Sequence, residues 1–363
     1  MFLTTLLTSG TSVLVLAAML ATDPVSIRKF SVPAYAEYHG YSGEIVSKFL
    51  RERIRHIAQE AGTARGEVLS VFHDDVSAIE ILAERLQLGG LVDAVQEFMN
   101  LQVYSVGGYL LLENGEMKIG TRVETAKGEV FFLSASGGRD IRTLINKMAE
   151  MFVERVDPYV LALYYFRKEY PSGNFVDAPA LVEHCISVLP TPQKQWPMLL
   201  KGRMAYRAGQ YEEAIASYQR ALALDPDFAF ALARWGEALV AMGDVQGGLD
   251  NMRLAVSKKN ATAVIFQLLG DTLARNSFPE EAREAYIQGL QETPDDPGLQ
   301  ISLARLYLDH RQPEPALALL EKAVIKRGDD VETHILLTQA LQGVITHRRA
   351  ALNYDSQFST ATR

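Results

Sequence analysis

Apolar and polar positions follow three different rhythms along this chain. Residues Phe2 to Ala21 carry no charge, and the run is densest from Val13 to Ala21 before it stops at Asp23-Pro24. From Ser42, a natural helix cap, the apolar residues Ile45, Val46, Phe49, Leu50, Ile54 and Ile57 recur at helical spacing. A second amphipathic stretch runs through Leu91, Val92, Val95, Phe98 and Met99.

The rhythm then shortens. Tyr109 to Leu112 is a brief apolar run that ends in Glu113-Asn114-Gly115-Glu116, and Asn-Gly is the favoured pair of a type I′ hairpin. Met117, Ile119, Thr121 and Val123 alternate with Lys118, Gly120, Arg122 and Glu124, as in a strand wet on one face. Lys127-Gly128 turns the chain into Val130 to Leu133. This predicts a three-stranded antiparallel meander, ended by Gly137-Gly138. A closing helix follows, with Ile141, Leu144, Ile145, Met148, Phe152 and Val156 as its buried stripe. Helices on one face of a small antiparallel sheet make an α+β arrangement.

The third rhythm has a period of 34 residues and starts near Gln195. It brings Gly202, Gly236, Gly270 and Ala304 into register, then Ala214, Gly248, Ala282 and Ala316, then Ala221, Ala255, Gly289 and Ala323. Tyr218, Met252, Tyr286 and Leu320 align as well, and so do Pro226, Asn260, Pro294 and Gly328. Small residues at fixed phases let paired helices approach, large ones fill the gaps, and a breaker closes each second helix. Such a period is the signature of a helical solenoid.

The segment Gly202 to Ile215, continuing through Tyr218 and Ala221 to Asp225-Pro226, resembles the tetratricopeptide repeat (TPR) family. The later units keep Trp235-Gly236, then Leu269-Gly270 with Pro279 to Ala282, then Leu303-Ala304 with Tyr307. The second unit departs at Gly248 and Asn260, where alanine and proline are usual. The domain reading is therefore an amino-terminal hydrophobic helix (1–24), a small α+β domain (25–158) and an all-α solenoid (159–345). The solenoid comprises a degenerate repeat, four repeats at 195–330 and a capping helix, and a polar tail (346–363) follows.

In this family the first helices line a concave face, which the second, fifth, ninth, twelfth and thirteenth positions of each unit occupy. The resemblance thus places a candidate partner groove on Trp196, Arg203, Tyr206, Phe230, Glu237, Gln267, Asp271, Arg275 and Arg305. Aromatic anchors with charged selectors suit an extended or helical peptide. The competing reading is that Trp196 and Phe230 pack on neighbouring helices and bind nothing. The chaperone-tail clamp of some family members needs asparagine and lysine where Arg203, Glu237 and Asp271 stand.

Composition narrows the function class. A formal charge of -8 argues against a nucleic-acid binder that works through a basic surface. A single cysteine, Cys185, excludes an intramolecular disulfide framework and falls at a phase where repeats want a small packed residue. His73-Asp74-Asp75 are adjacent and cannot all face one ion, and His56 with Glu60 lacks the second histidine of a metalloprotease helix. No catalytic residue, metal or cofactor is expected.

The uncharged run at residues 2–21 is just long enough to span a bilayer. It reads as an uncleaved membrane anchor, with an export signal as the second reading and a buried core helix as the third. The first basic residues, Arg28 and Lys29, follow it, so charge alone leaves the orientation open. A faint resemblance of the middle region to domains of bacterial envelope proteins favours a periplasmic body. The expected function is a membrane-tethered TPR scaffold for a protein or peptide partner, with self-association as a further outcome. The alternative is an enzyme or enzyme accessory with a dispersed site in the α+β domain or between the domains.

Overall fold

A computed structural model describes residues 25–62, 104–125, 127–328 and 330–361, with side chains followed to residue 349. The apolar run at 2–21, the stretch from Leu91 to Met99 and His73-Asp74-Asp75 lie outside the described residues. Among the described residues no helix is long and apolar enough to cross a membrane, and no group of three or more side chains is placed to hold a metal ion. The chain divides into two compact units between Ser187 and Val188.

In the first unit β1 (Val25–Ile27), β2 (Tyr104–Glu113), β3 (Glu116–Thr125) and β4 (Val130–Gly137) form one sheet in the order β1-β2-β3-β4. The expected meander is present, and Asn114 and Gly115 both take positive φ, as a type I′ turn requires. The sheet differs from expectation by a fourth strand, because β1 adds parallel to β2. Its three residues are too few to show alternation, but Val25 and Ile27 point inward and are buried.

The helices α1 (Ala34–Tyr38), α2 (Gly43–Ala61), α3 (Ile141–Val156), α4 (Pro158–Glu169) and α5 (Ala178–Val188) complete the unit. Ser42 caps α2, accepting from the Ile45 N–H. α3 lies on β3 and β4, and the Thr121 hydroxyl contacts the Met148 sulfur beneath it. Both α2 and α3 pack against α4. A polar tie reinforces this. The Arg53 guanidinium on α2 donates to Glu150 on α3 at 3.0 Å and to the Tyr164 hydroxyl on α4 at 3.3 Å. Burial first, then the Glu150 carboxylate, push the Tyr165 phenol above its ordinary range.

These contacts correct the domain reading. The pair α4 and α5, expected to open the solenoid as a degenerate repeat, falls in the first unit. The repeat-like phases do mark one buried face, since Ala178, Val182 and Cys185 are all buried.

The second unit is the solenoid. Its first helices are α6 (Gln195–Arg207), α8 (Ala229–Ala241), α10 (Ala263–Arg275) and α12 (Pro297–Asp309), and its second helices are α7 (Tyr211–Leu224), α9 (Val245–Val256), α11 (Pro279–Glu292) and α13 (Pro313–Lys326). Both series begin every 34 residues. The small-residue phases are contact points. A Cβ on Gly202 would meet the Tyr218 ring at 2.4 Å, and one on Gly270 would meet the Tyr286 ring at 2.3 Å. Gly248, the departure in the second unit, is explained in the same way. A Cβ there would meet the Gly236 carbonyl at 2.6 Å, so α8 and α9 cross backbone to backbone.

A final helix, α14 (Val331–Ala361), packs on α12 and α13. It differs from the expected capping helix and separate polar tail by running on as one helix.

Candidate functional site

Successive first helices of the solenoid touch one another directly, while the second helices pack chiefly on the first helices before and after them. The first helices therefore form the inner wall, and side chains at the expected phases lie along it.

At the amino-terminal end of this wall the Trp196 ring meets Phe228 edge-on with centroids 4.9 Å apart, and lies 5.9 Å from Phe230. Phe228 is buried, and Trp196 and Phe230 are half-buried against the same core cluster. The two expected anchors are thus partly core. Phe228, missed in the sequence, is the residue that seats them. It lies just before α8, so it does not share the phase that marks its neighbours. The same phase in the third unit, Val264, is half exposed, and in the fourth, Gly298, it is covered by the Gln267 amide. Next to these, Tyr206 lies against Tyr211, with centroids 5.5 Å apart.

The row of expected charged selectors is already engaged with its own chain. Glu237 accepts from Arg234 at 2.8 Å, and both side chains are largely covered, at 15% and 18% exposure. The Asp271 carboxylate accepts from the Tyr286 hydroxyl at 2.7 Å. Burial first, and then Asp271, raise the Tyr286 phenol above its ordinary range, while Arg305 and Arg275 act in the opposite sense. Arg305 also pairs with Glu332. Arg275 folds back onto the Asp271 carbonyl and the Thr272 hydroxyl. Gln267 donates to the Ser302 hydroxyl at 3.0 Å, joining the third and fourth units.

The structure thus groups Asp271, Arg275 and Arg305 around Tyr286 and sets Trp196 beside Phe230. Glu237 stands apart, in its own ion pair. Arg234 was legible as an i, i+3 partner of Glu237, whereas the Asp271–Tyr286 bond depends on how two helices cross. A partner that uses this row must exchange these pairs. For exposed ones the exchange costs little, because a surface ion pair is worth about 0–1 kcal/mol.

The first unit also carries a concave surface. On the sheet face opposite α3, a cavity of about 570 Å³ is lined by Arg28, Lys118, Arg122, Tyr109, Phe132 and several hydroxyl-bearing residues.

Comparisons with known proteins follow the repeat geometry. One family profile, described as a TPR repeat, matches residues 202–243, and another, described as a tetratricopeptide repeat, matches residues 278–340. The second unit therefore contains tetratricopeptide repeats. The chain is similar to the DnaJ homolog subfamily C member 7 homolog of Schizosaccharomyces pombe, with 23% identity over 205 residues, covering 54% of this chain and 37% of that protein. It thus spans little more than a third of this relative's length.

Among solved structures it is similar to a thermophilic TPR protein of Thermus thermophilus, 21% identical with a TM-score of 0.43, covering 52% of this chain and 98% of that one. It is also similar to Pseudomonas aeruginosa pilF, 17% identical with a TM-score of 0.42, over 58% of this chain and 92% of that one. For yeast Tom70 the identity is 17% and the TM-score 0.46, over 56% of this chain and 44% of that one.

Proposed function

We propose that this protein is a membrane-tethered interaction scaffold whose solenoid holds a protein or peptide partner on its inner wall. TPR solenoids generally mediate protein–protein interaction through such a surface. The observation that carries the reading is the inner wall itself. The partly buried Trp196 and Phe230 and the exposed Val264 continue into a row of charges, of which the Arg305–Glu332 pair is exposed and open to exchange. Apolar area supplies affinity, and the charges set register and reject wrong partners.

Three variants test the groove. Phe230→Ala should weaken partner capture by about 1–2 kcal/mol, as for a hot-spot aromatic. Val264→Glu, at an exposed position, should weaken it without changing helical circular dichroism. Arg203→Glu should act in a salt-dependent way, because a charge in contact with solvent works through a screened field. Equal capture by all three variants would remove the site from this wall. Melting of the solenoid by Phe230→Ala would make that ring structural and leave Val264→Glu to decide.

The tether is supported by the uncharged run at residues 2–21, and the periplasmic side of the body rests only on the faint resemblance of the middle region to domains of bacterial envelope proteins. Full-length protein should remain in the membrane pellet after a carbonate wash, and a chain starting at Val25 should not. Release of both into the supernatant would sink the tether, and protease protection in intact cells would decide the side.

A further inference from the structure

The sheet of the first unit buries Ile27, Val106, Ile119 and Val123 on its helical side, so the alternate residues of each strand face away from the helices. The strand registers set these outward residues in rows. Gly107 on β2 pairs with Arg122 on β3, which pairs with Phe132 on β4. Continuing the parallel β1–β2 register one residue past Ile27 places Arg28 beside Gly107. One row across the four strands therefore reads Arg28, Gly107, Arg122, Phe132. The next row carries Tyr109, Gly120 and Ser134.

Gly107 stands inside β2, where a glycine weakens the strand. Neither of the usual local reasons for a glycine applies. Its φ is not positive, and a Cβ there would meet nothing within 4 Å. Its neighbours differ. A Cβ on Gly108 would strike the Phe30 ring at 2.4 Å, and one on Gly120 would strike the Tyr109 ring at 2.5 Å. A strand glycine without a packing demand marks a place where a ligand or another backbone comes close. Here it leaves a gap of bare backbone between Arg28 and Arg122, whose strands lie two spacings, about 10 Å, apart.

The charge around the gap is one-sided. Among the described residues, the cavity over this row is lined by Arg28, Lys118 and Arg122 and by no acid, on a chain of net charge -8. Arg28 and Lys118 have no ion-pair partner among the described residues. Arg122 gives one N–H to Glu124 at 2.8 Å and keeps the other donors of its fork.

We infer that this row is a binding site for a small organic anion. Its phosphate or carboxylate head sits over Gly107 between Arg28 and Arg122, and its flat apolar body lies on Phe132 and Tyr109. Guanidinium forks match either head with paired hydrogen bonds. Phe132 is 73% exposed and Tyr109 40%, so both rings have area to give. The cavity, about 570 Å³, has the size of a small-molecule site. The site belongs wholly to the first unit and makes no use of the solenoid's inner wall.

Calorimetry on the full chain tests this with phenyl phosphate, benzoate and inorganic phosphate. Phenyl phosphate or benzoate should bind more tightly than inorganic phosphate, and the tighter of the two identifies the head group. Arg28→Gln and Arg122→Gln should each weaken the better probe about tenfold or more, as the loss of a hydrogen bond between charged groups does. Phe132→Ala should weaken it several-fold and leave inorganic phosphate unchanged. Gly107→Val should abolish binding while the urea midpoint stays at or above the parent's, because valine suits a strand better than glycine. No heat from either aromatic probe would overturn the site, and so would full binding by both arginine variants. A Gly107→Val chain that binds like the parent would also overturn it.

Discussion

Gly236→Val is expected to cost the solenoid about 3 kcal/mol, at the upper end of what overpacking a close-packed site does. The reason is what the new side chain would meet. A Cβ at this position lies 2.5 Å from the Gly248 carbonyl oxygen, and 2.8 Å from the Met252 side chain. The flexible end of a methionine can move aside, but a helix backbone cannot. The α8–α9 crossing would have to open, and with it the contacts of Leu249 and Met252 to the next unit's core. Valine recovers only about 0.5 kcal/mol of helix propensity over glycine. Ala241→Val, on an exposed turn of the same helix, should stay within about 0.5 kcal/mol. Urea unfolding followed by circular dichroism reads both. Equal midpoints would mean that the two glycines do not mark a close crossing.

Phe166→Ala is expected to cost about 3–5 kcal/mol, the range for truncating a fully buried aromatic, and to cost it in the first unit. Phe166 is buried on α4 and stacks on Phe175 at 5.7 Å, while α4 packs against α2 and α3. Hydrogen exchange separates this from a solenoid effect. Protection should fall across 43–61 and 141–169 and remain in the repeats from 229 onward. Loss confined to the repeats would return α4 to the solenoid, where sequence reasoning had put it.

The difference between those two cases shows what the sequence could tell. The repeats were legible because one constraint recurs. A small residue must stand wherever two helices cross, and the 34-residue period repeats that demand four times over. Even the exception at Gly248 follows from the same crossing. The boundary was not legible, because Ala178 and Cys185 satisfy the same small-residue demand although their helix precedes the division between the two units. Strand β1 was invisible for the opposite reason, since three residues hold no pattern. On the inner wall, phase told which residues face inward but not what they touch. Glu237 and Asp271 read alike in sequence, yet one is held by Arg234 along its own helix and the other by Tyr286 across a crossing.

The inner wall as the working surface is tested most directly by placing a photo-crosslinking residue at Val264, and in separate chains at Glu212 on the outside of the solenoid and at Phe132 on the open sheet face. All three positions are exposed, so none should disturb the fold. Irradiation in cells should link one partner protein from position 264 and not from 212 or 132. Its yield should fall when Phe230→Ala is added to the same chain. Capture from 132 or 212 with none from 264 would contradict the account.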